Sequence, residues 1–287
     1  MNNDKLKNLS VRALSGAVLA AVMFGATLLS PWGYLALLLA ITVVGVWEFY
    51  NLCNGCGYSP QRVLGLSISA MIFILGAGVF AYMVLGKTDY ADATIIFVAL
   101  TFLFLAVPTS FICELFRNEK NPIANIGVTI MGAIYVALPA IFMMFVPLLL
   151  SGDNSWNPWY ALSYILIIWA NDVFAYLTGM TLGKHRICER ISPKKSWEGF
   201  VGGVLAAVAV AIILARLLDG DFVVWGGLGL IIAVTGVAGD FVESLFKRSA
   251  SVKDSGAIMP GHGGMLDRFD ALLISAPFAL LYLILIM

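Results

Sequence analysis

Residues 244–270, SLFKRSASVKDSGAIMPGHGGMLDRFD, hold the densest chemistry in this chain. Asp254, His262, Asp267 and Asp270 supply acids and a base. Lys247, Arg248, Lys253 and Arg268 supply cations, and four glycines are interspersed. Only 12% of the protein is charged, so this concentration between two apolar stretches demands a reason. An acidic, basic and glycine-rich loop at a membrane edge is what metal-assisted phosphate chemistry requires.

Asp267 and Asp270 stand three apart at the start of the last apolar stretch, on one face of a first helical turn. A helix N-terminus welcomes carboxylates, so capping is one reading. One Asp suffices for a cap, whereas two or more Asp oxygens, completed by water and phosphate, are a usual way to hold Mg²⁺. Asp240 ends the eighth apolar stretch, where a carboxylate opposes the negative end of the helix dipole unless a cation is bound. If that helix continues, Asp240, Glu243, Ser244 and Lys247 share a face. Between these segments lie Lys253-Asp254 and Pro260-Gly261-His262-Gly263-Gly264, where glycines let backbone amides approach an anion. His262 fits a phosphate donor, a base or a brace for the loop.

A second constellation runs from Gly183 to Gly199. Ser192-Pro193-Lys194-Lys195-Ser196 directly precedes a predicted helix, offering hydroxyls, ammonium groups and free amides to a triphosphate. Lys184 and Arg186 are explained by membrane topology alone. Asp172, beside Asn171, sits within an apolar stretch, where an acid costs about 2.5–3.5 kcal/mol on insertion scales and is a functional candidate by default. Glu48, near the end of its own stretch, is expected to snorkel to the interface.

The elements that must position these groups are helices. With 61% hydrophobic residues and a mean hydropathy of +0.93, the chain belongs to the polytopic membrane class. Nine stretches fit a spanning helix: 11–29, 33–50, 63–86, 92–112, 127–150, 159–180, 199–218, 223–241 and 270–287. The reading is therefore an all-α membrane protein with a polar site facing the cytoplasm. It is one integral domain of 1–287, in which 1–150 is scaffold and 159–287 bears the site. Lys5, Lys7 and Arg12 precede the first stretch, which lacks a small-residue cleavage site, and predict an inner N-terminus. That choice puts every Lys and Arg except Lys87 and Arg216 on the inner side. The formal net charge is zero, so no field recruits nucleic acid, and the inner cations suit anionic lipid or nucleotide phosphate. Cys53, Cys56, Cys113 and Cys188 all fall near the reducing side, and the single CxxC lacks the further ligands of a zinc site.

The 244–270 stretch resembles the signature of the phosphatidate cytidylyltransferases, or CDP-diacylglycerol synthases. The match rests on Ser244, Lys247-Arg248, Lys253-Asp254, Gly256, Pro260, His262-Gly263-Gly264, Asp267-Arg268 and Asp270. Met259 stands where Ile, Leu or Phe is usual. Gly239-Asp240, Asn171-Asp172 and the run 192–199 also look like family features, so motifs cover residues 160–287. The resemblance implies a reaction of CTP with phosphatidic acid that gives CDP-diacylglycerol and pyrophosphate, with Mg²⁺ and room for a second metal ion. It implies an inner-membrane enzyme of phospholipid synthesis and a homodimer.

On that basis Asp240, Asp267 and Asp270 are expected to hold the metal, with Glu243 and Asp172 as further ligands. Ser192, Lys194, Lys195 and Ser196 would hold CTP phosphates. Lys247, Arg248, Lys253 and Arg268 would hold the lipid phosphate or pyrophosphate, alongside Asp254, His262, Gly263 and Gly264. The competing readings are a CTP-dependent enzyme acting on another lipid acceptor, and a transporter using Asp172 as an ion site. The transporter would require related halves, whereas charge chemistry occupies one half only.

Overall fold

The computed structural model describes residues 3–85, 90–153, 155–261 and 263–287. His262 and Lys87 lie outside the described residues, as do the side chains of Lys5, Lys7 and Arg12. The chain forms α1 (Asn3–Leu29), α2 (Pro31–Gly55), α3 (Arg62–Leu85), α4 (Tyr90–Arg117), α5 (Pro122–Gly132), a π-helical segment (Ala133–Ala137) and α6 (Leu138–Ser151). There follow α7 (Pro158–Leu182), β1 (Arg186–Cys188), β2 (Ser192–Ser196), α8 (Trp197–Leu217), α9 (Phe222–Ser249) and α10 (Leu266–Ile286). Each of the nine apolar stretches corresponds to helix. Among the described residues, eight helical segments are long and apolar enough to cross a membrane, and Ala13–Leu29 is a shorter apolar one. Large apolar side chains such as Phe104, Leu205 and Leu285 face outward, as lipid contact favours and water does not.

Local chemistry sets the helix starts. Proline opens α2, α5 and α7, where its missing N–H costs nothing. Ser30 caps α2 by accepting from Gly33 N at 3.0 Å, and Asn157 caps α7 by accepting from Trp159 N at 3.0 Å.

Two compact units are distinguished: Met1–Met144 with Ser249–Phe269, and Phe145–Arg248 with Asp270–Met287. In the first, α1 packs on α2, α2 on α3 and α3 on α4. Its core includes Leu38, Ile41, Tyr50, Val136 and Met143. The Tyr34 hydroxyl donates to Met143 O at 2.8 Å, and the Tyr50 hydroxyl to Thr129 O at 2.6 Å. Such bonds are the only way to bury these hydroxyls cheaply.

In the second unit α7 and α8 make an intimate pair. Gly199, Gly203, Ala207, Ala211 and Ala215 recur every four residues on α8 and are all buried. This small-residue seam is the usual device for close packing where lipid gives no hydrophobic drive between helices. A Cβ on Gly203 would lie 2.7 Å from the Asn171 carbonyl oxygen. Elsewhere in this unit the Tyr164 and Ser275 hydroxyls meet at 2.7 Å.

The short antiparallel ribbon β1–β2 pairs Arg186 with Ser196 and Cys188 with Ser192. It was not expected, because SPKKS carries none of the alternation that marks a strand. It forms where Arg186 Nη1 donates to Lys194 O at 2.9 Å, and where Glu198 Oε2 accepts from Lys184 N at 3.0 Å.

Gly203→Leu should split the seam. Overpacking of this kind costs about 1–3 kcal/mol, so a thermal melt in detergent should drop by several degrees, whereas Leu205→Ala on the exposed face should change it little.

Candidate active site

The candidate residues fall into two sets, one in each unit. The first is the loop that follows α9. Glu48 of α2, which is only 4% exposed, accepts from Met265 N and Leu266 N at 2.9 Å each and from the Ser255 hydroxyl at 3.0 Å. Asp267 Oδ2 accepts from Ser255 N and Gly264 N at 2.8 Å each and lies 3.0 Å from the same hydroxyl. The single Ser255 proton is thus shared between two carboxylates.

Gly263 adopts φ +83°, a left-handed conformation, and a Cβ there would meet Asp267 Oδ2 at 2.6 Å. A Cβ on Gly264 or Gly256 would collide with the Glu48 carboxylate. The glycines therefore let the backbone close around two acids.

Outside this clasp, Lys253, Asp254, Gly263 and Arg268 line a largely polar cleft of about 600 Å³ together with Met259 and Pro260. Lys253, Asp254 and Arg268 are exposed. An ammonium, a guanidinium and turn amides around such a space suit an anion.

Glu48 departs from expectation. It is buried, and its carboxylate is committed to the loop rather than snorkelled. No motif marks it: it is one acid in an apolar stretch, 207 residues from Ser255.

The second set lies on α9, α10 and β2. Helix α9 continues to Ser249, so Asp240 lies inside it and the dipole argument made for a helix end does not apply. The one-face arrangement does apply. Asp240, Glu243 and Asp270 offer oxygens all within 4.8 Å of one another. Asp270 reaches this place because Gly239 has no side chain, since a Cβ there would strike the Asp270 carbonyl oxygen.

Lys195 of β2 pairs with Asp240 at 2.5 Å and lies over the Phe241 ring at 4.5 Å. Lys247 pairs with Glu243, 1% exposed, at 2.5 Å. The Ser244 hydroxyl approaches Asp240 Oδ1 at 3.4 Å. Asp172 and Lys247 act electrostatically on the Asp270 carboxylate.

Carboxylates outnumber the two lysines paired with them in this cluster. An all-oxygen donor set with excess negative charge fits a hard divalent cation. The cluster thus combines the expected Asp240, Asp270 and Glu243. Asp267 has its Oδ2 in the loop, as described.

The structure places the remaining expected residues as follows. Ser192 begins β2 and Lys194 is exposed on it. Ser196 is 3% exposed, and its hydroxyl caps α8 by accepting from Gly199 N at 3.2 Å. Arg248 is exposed at the end of α9. His185, which the sequence did not single out, meets Glu198 at 2.6 Å.

Residues 10–286 match the cytidylyltransferase family. The chain belongs to that family. It is 30% identical to a Haemophilus influenzae protein named phosphatidate cytidylyltransferase, across 94% of this chain and 96% of that protein. A Synechocystis protein of the same name is also 30% identical, across 96% and 97% of the two chains. A Staphylococcus aureus protein of that name is 46% identical over 127 residues, which are 44% of this chain and 49% of the relative. A cytidylyltransferase must bring a nucleotide to a second substrate, and the acid cluster and the polar cleft are candidates for managing the phosphate charge.

Glu48→Gln should loosen the loop. An amide in this pocket turns a donor toward backbone N–H groups, and a buried group left unsatisfied costs about 1–3 kcal/mol. Hydrogen exchange of residues 255–266 should rise and cytidylyl transfer should fall about tenfold, with the helices outside that segment unaffected.

Proposed function

We propose that this membrane protein transfers the cytidylyl group of CTP to phosphatidic acid, giving CDP-diacylglycerol and pyrophosphate, with Mg²⁺. The observation that carries the reading is the Asp240–Glu243–Asp270 cluster with Lys195 and Lys247 against it. It is supported by near full-length similarity to proteins named phosphatidate cytidylyltransferase.

The nucleophile is a phosphomonoester oxygen of phosphatidate, already anionic at neutral pH. It forms a bond to the α-phosphorus of CTP as the bond to pyrophosphate breaks. No strong base is needed, so a site without a nucleophile–base pair is sufficient. The obstacle is repulsion between two anions. A bound divalent ion would neutralise phosphate charge and favour the leaving pyrophosphate.

Asp240, Glu243 and Asp270 are the residues that would hold that ion, with Asp172 as a further candidate. Lys195 and Lys247 already neutralise two of the carboxylates, and an ammonium displaced by a metal is free to take a phosphate oxygen. Lys194 and Ser192 extend the β2 side of a CTP-phosphate site, and Ser196 fixes the start of α8 beneath it. Arg248 adds a cation at the end of α9. In the loop, Lys253 and Arg268 supply charge, and the Gly263–Gly264 backbone supplies shape for a phosphate. Asp254 orients that edge, and Asp267 with Glu48 holds the loop closed. His262 is proposed as a phosphate donor within the same loop.

The cluster, the ribbon and the N-terminus are proposed to face the cytoplasm of an inner membrane, where CTP is available; the bias of Lys and Arg toward one side supports this orientation. A related enzyme acting on another lipid phosphate would use the same groups. The acceptor panel below separates the two.

Detergent-purified protein given labelled CTP should form CDP-diacylglycerol and pyrophosphate with phosphatidate, and only with Mg²⁺. Turnover with a different acceptor alone would move the substrate and keep the chemistry. Asp270→Asn and Asp240→Asn should each reduce turnover by about 100-fold or more, and Lys195→Ala should raise KM for CTP. Asp267→Asn separates two roles. A shifted Mg²⁺ half-saturation makes it a ligand, and an unshifted one with faster loop exchange makes it a brace for the loop.

A further inference from the structure

The first unit holds a second polar constellation, made of none of the groups assigned above. Glu114, near the end of α4, is 5% exposed. Its carboxylate accepts from Gln61 Nε2, Arg117 Nη1 and Asn125 Nδ2, each at 2.7 Å. Asn125 Oδ1 in turn accepts from Ser59 N at 2.8 Å, and Thr129 Oγ1 accepts from Gln61 N at 2.8 Å. A buried acid so fully satisfied fixes its neighbours in place. The neighbour that matters is Arg117, whose Nη1 is further held by Ser59 O at 2.8 Å. Its Nη2 and Nε have no protein acceptor among the described residues.

Arg117 and Arg62 line one cleft of about 660 Å³ with Val63, Leu64, Phe102 and Cys113. Arg62 lies over the Trp47 ring at 4.6 Å and gives Nη2 to Asn51 Oδ1 at 2.8 Å. It has no carboxylate partner among the described residues. Two guanidinium groups are therefore held in fixed positions with donors unspent, beside an apolar wall. Planar, weakly hydrated guanidinium forks suit phosphate oxygens. The cleft is formed by the start of α3 and the end of α4, helices that pack on one another. If both span, it sits at headgroup depth, and its volume is that of an ordinary small-ligand site.

We propose that this cleft binds an anionic phospholipid, its phosphate between Arg62 and Arg117 and the start of an acyl chain along Val63, Leu64 and Phe102. The apolar wall favours a lipid over a free anion, and the unpaired charge of Arg62 favours an anionic lipid over a zwitterionic one. The site stands apart from the transfer reaction. A phosphodiester lipid, which lacks the attacking phosphomonoester, is expected to occupy it.

Cys113 lines the cleft and is an exposed thiol, so it reports occupancy. Alkylation of Cys113 by N-ethylmaleimide is followed by peptide mass spectrometry on the full chain in neutral detergent. Phosphatidylglycerol at several times its Kd should slow it about fivefold, while phosphatidylcholine and inorganic phosphate should not. Arg62→Gln should abolish the protection and leave cytidylyl transfer unchanged. Equal protection by phosphatidylcholine, protection by inorganic phosphate alone, or no protection of the wild-type chain by any of the three would each overturn the proposal.

Discussion

A carboxylate inside a membrane protein must be answered by fixed donors or by a cation, because neither lipid nor a closely packed interior solvates it. Among the described residues, three buried or half-buried sets are organised by that constraint. Glu48 is answered by two backbone amides and a serine hydroxyl. Glu114 is answered by two amide side chains and an arginine. Glu243 and Asp240 are answered by one lysine each. Asp270 joins the last pair, its Oδ1 accepting from the Ala271 amide at 2.8 Å, with further charges nearby. How the loop folds, and why Gly256, Gly263 and Gly264 stand in it, follow from supplying these answers.

The kind of answer separates structure from chemistry. Backbone amides cannot leave a carboxylate without unfolding the segment that carries them, so Glu48 and Asp267 act as anchors. The result is a loop of small residues held in one shape by acids that it surrounds. Lysine ammonium groups can leave, because four methylenes let them swing without moving the backbone. Carboxylates paired with a lysine are therefore the ones able to exchange partners during a reaction. By this criterion Asp240 and Glu243 suit the role proposed for them, and Glu114, held by two amides and an arginine, does not, although it is almost as deeply buried as Glu243.

The same criterion explains what could be read from the sequence. Helices were legible because lipid demands long apolar runs, and all nine runs correspond to helix. The site was legible where its residues are neighbours in sequence. Asp240, Glu243 and Lys247 follow helical spacing, and the loop between Lys253 and Arg268 concentrates charge and glycine. What stayed hidden is long-range pairing. Glu48 meets the loop across 207 residues, and Lys195 meets Asp240 across β2 and two helices. Neither contact leaves a local pattern. The ribbon was hidden because its strands are too short and too charged to alternate, and are held by Glu198 and by paired backbone. Glu114 carries no local signal of its network, since two of its three donors, Gln61 before α3 and Asn125 on α5, are distant in sequence.

The division of labour between lysine and arginine extends the argument. The cations paired with the acid cluster, Lys195 and Lys247, are both lysines, compact charges on flexible stems. Lining the cleft of the first unit are two arginines, each with its plane fixed by a neighbour, Trp47 for one and Glu114 with Ser59 for the other. A site that accepts a metal and two phosphates in turn, as proposed for the cluster, needs cations that yield their places. One that holds a ligand at rest needs cations that keep theirs. Replacing Lys195 with arginine would retain its charge but put a broad planar fork where a small mobile ammonium now sits. Charge alone therefore cannot account for the choice of residue, and mobility can.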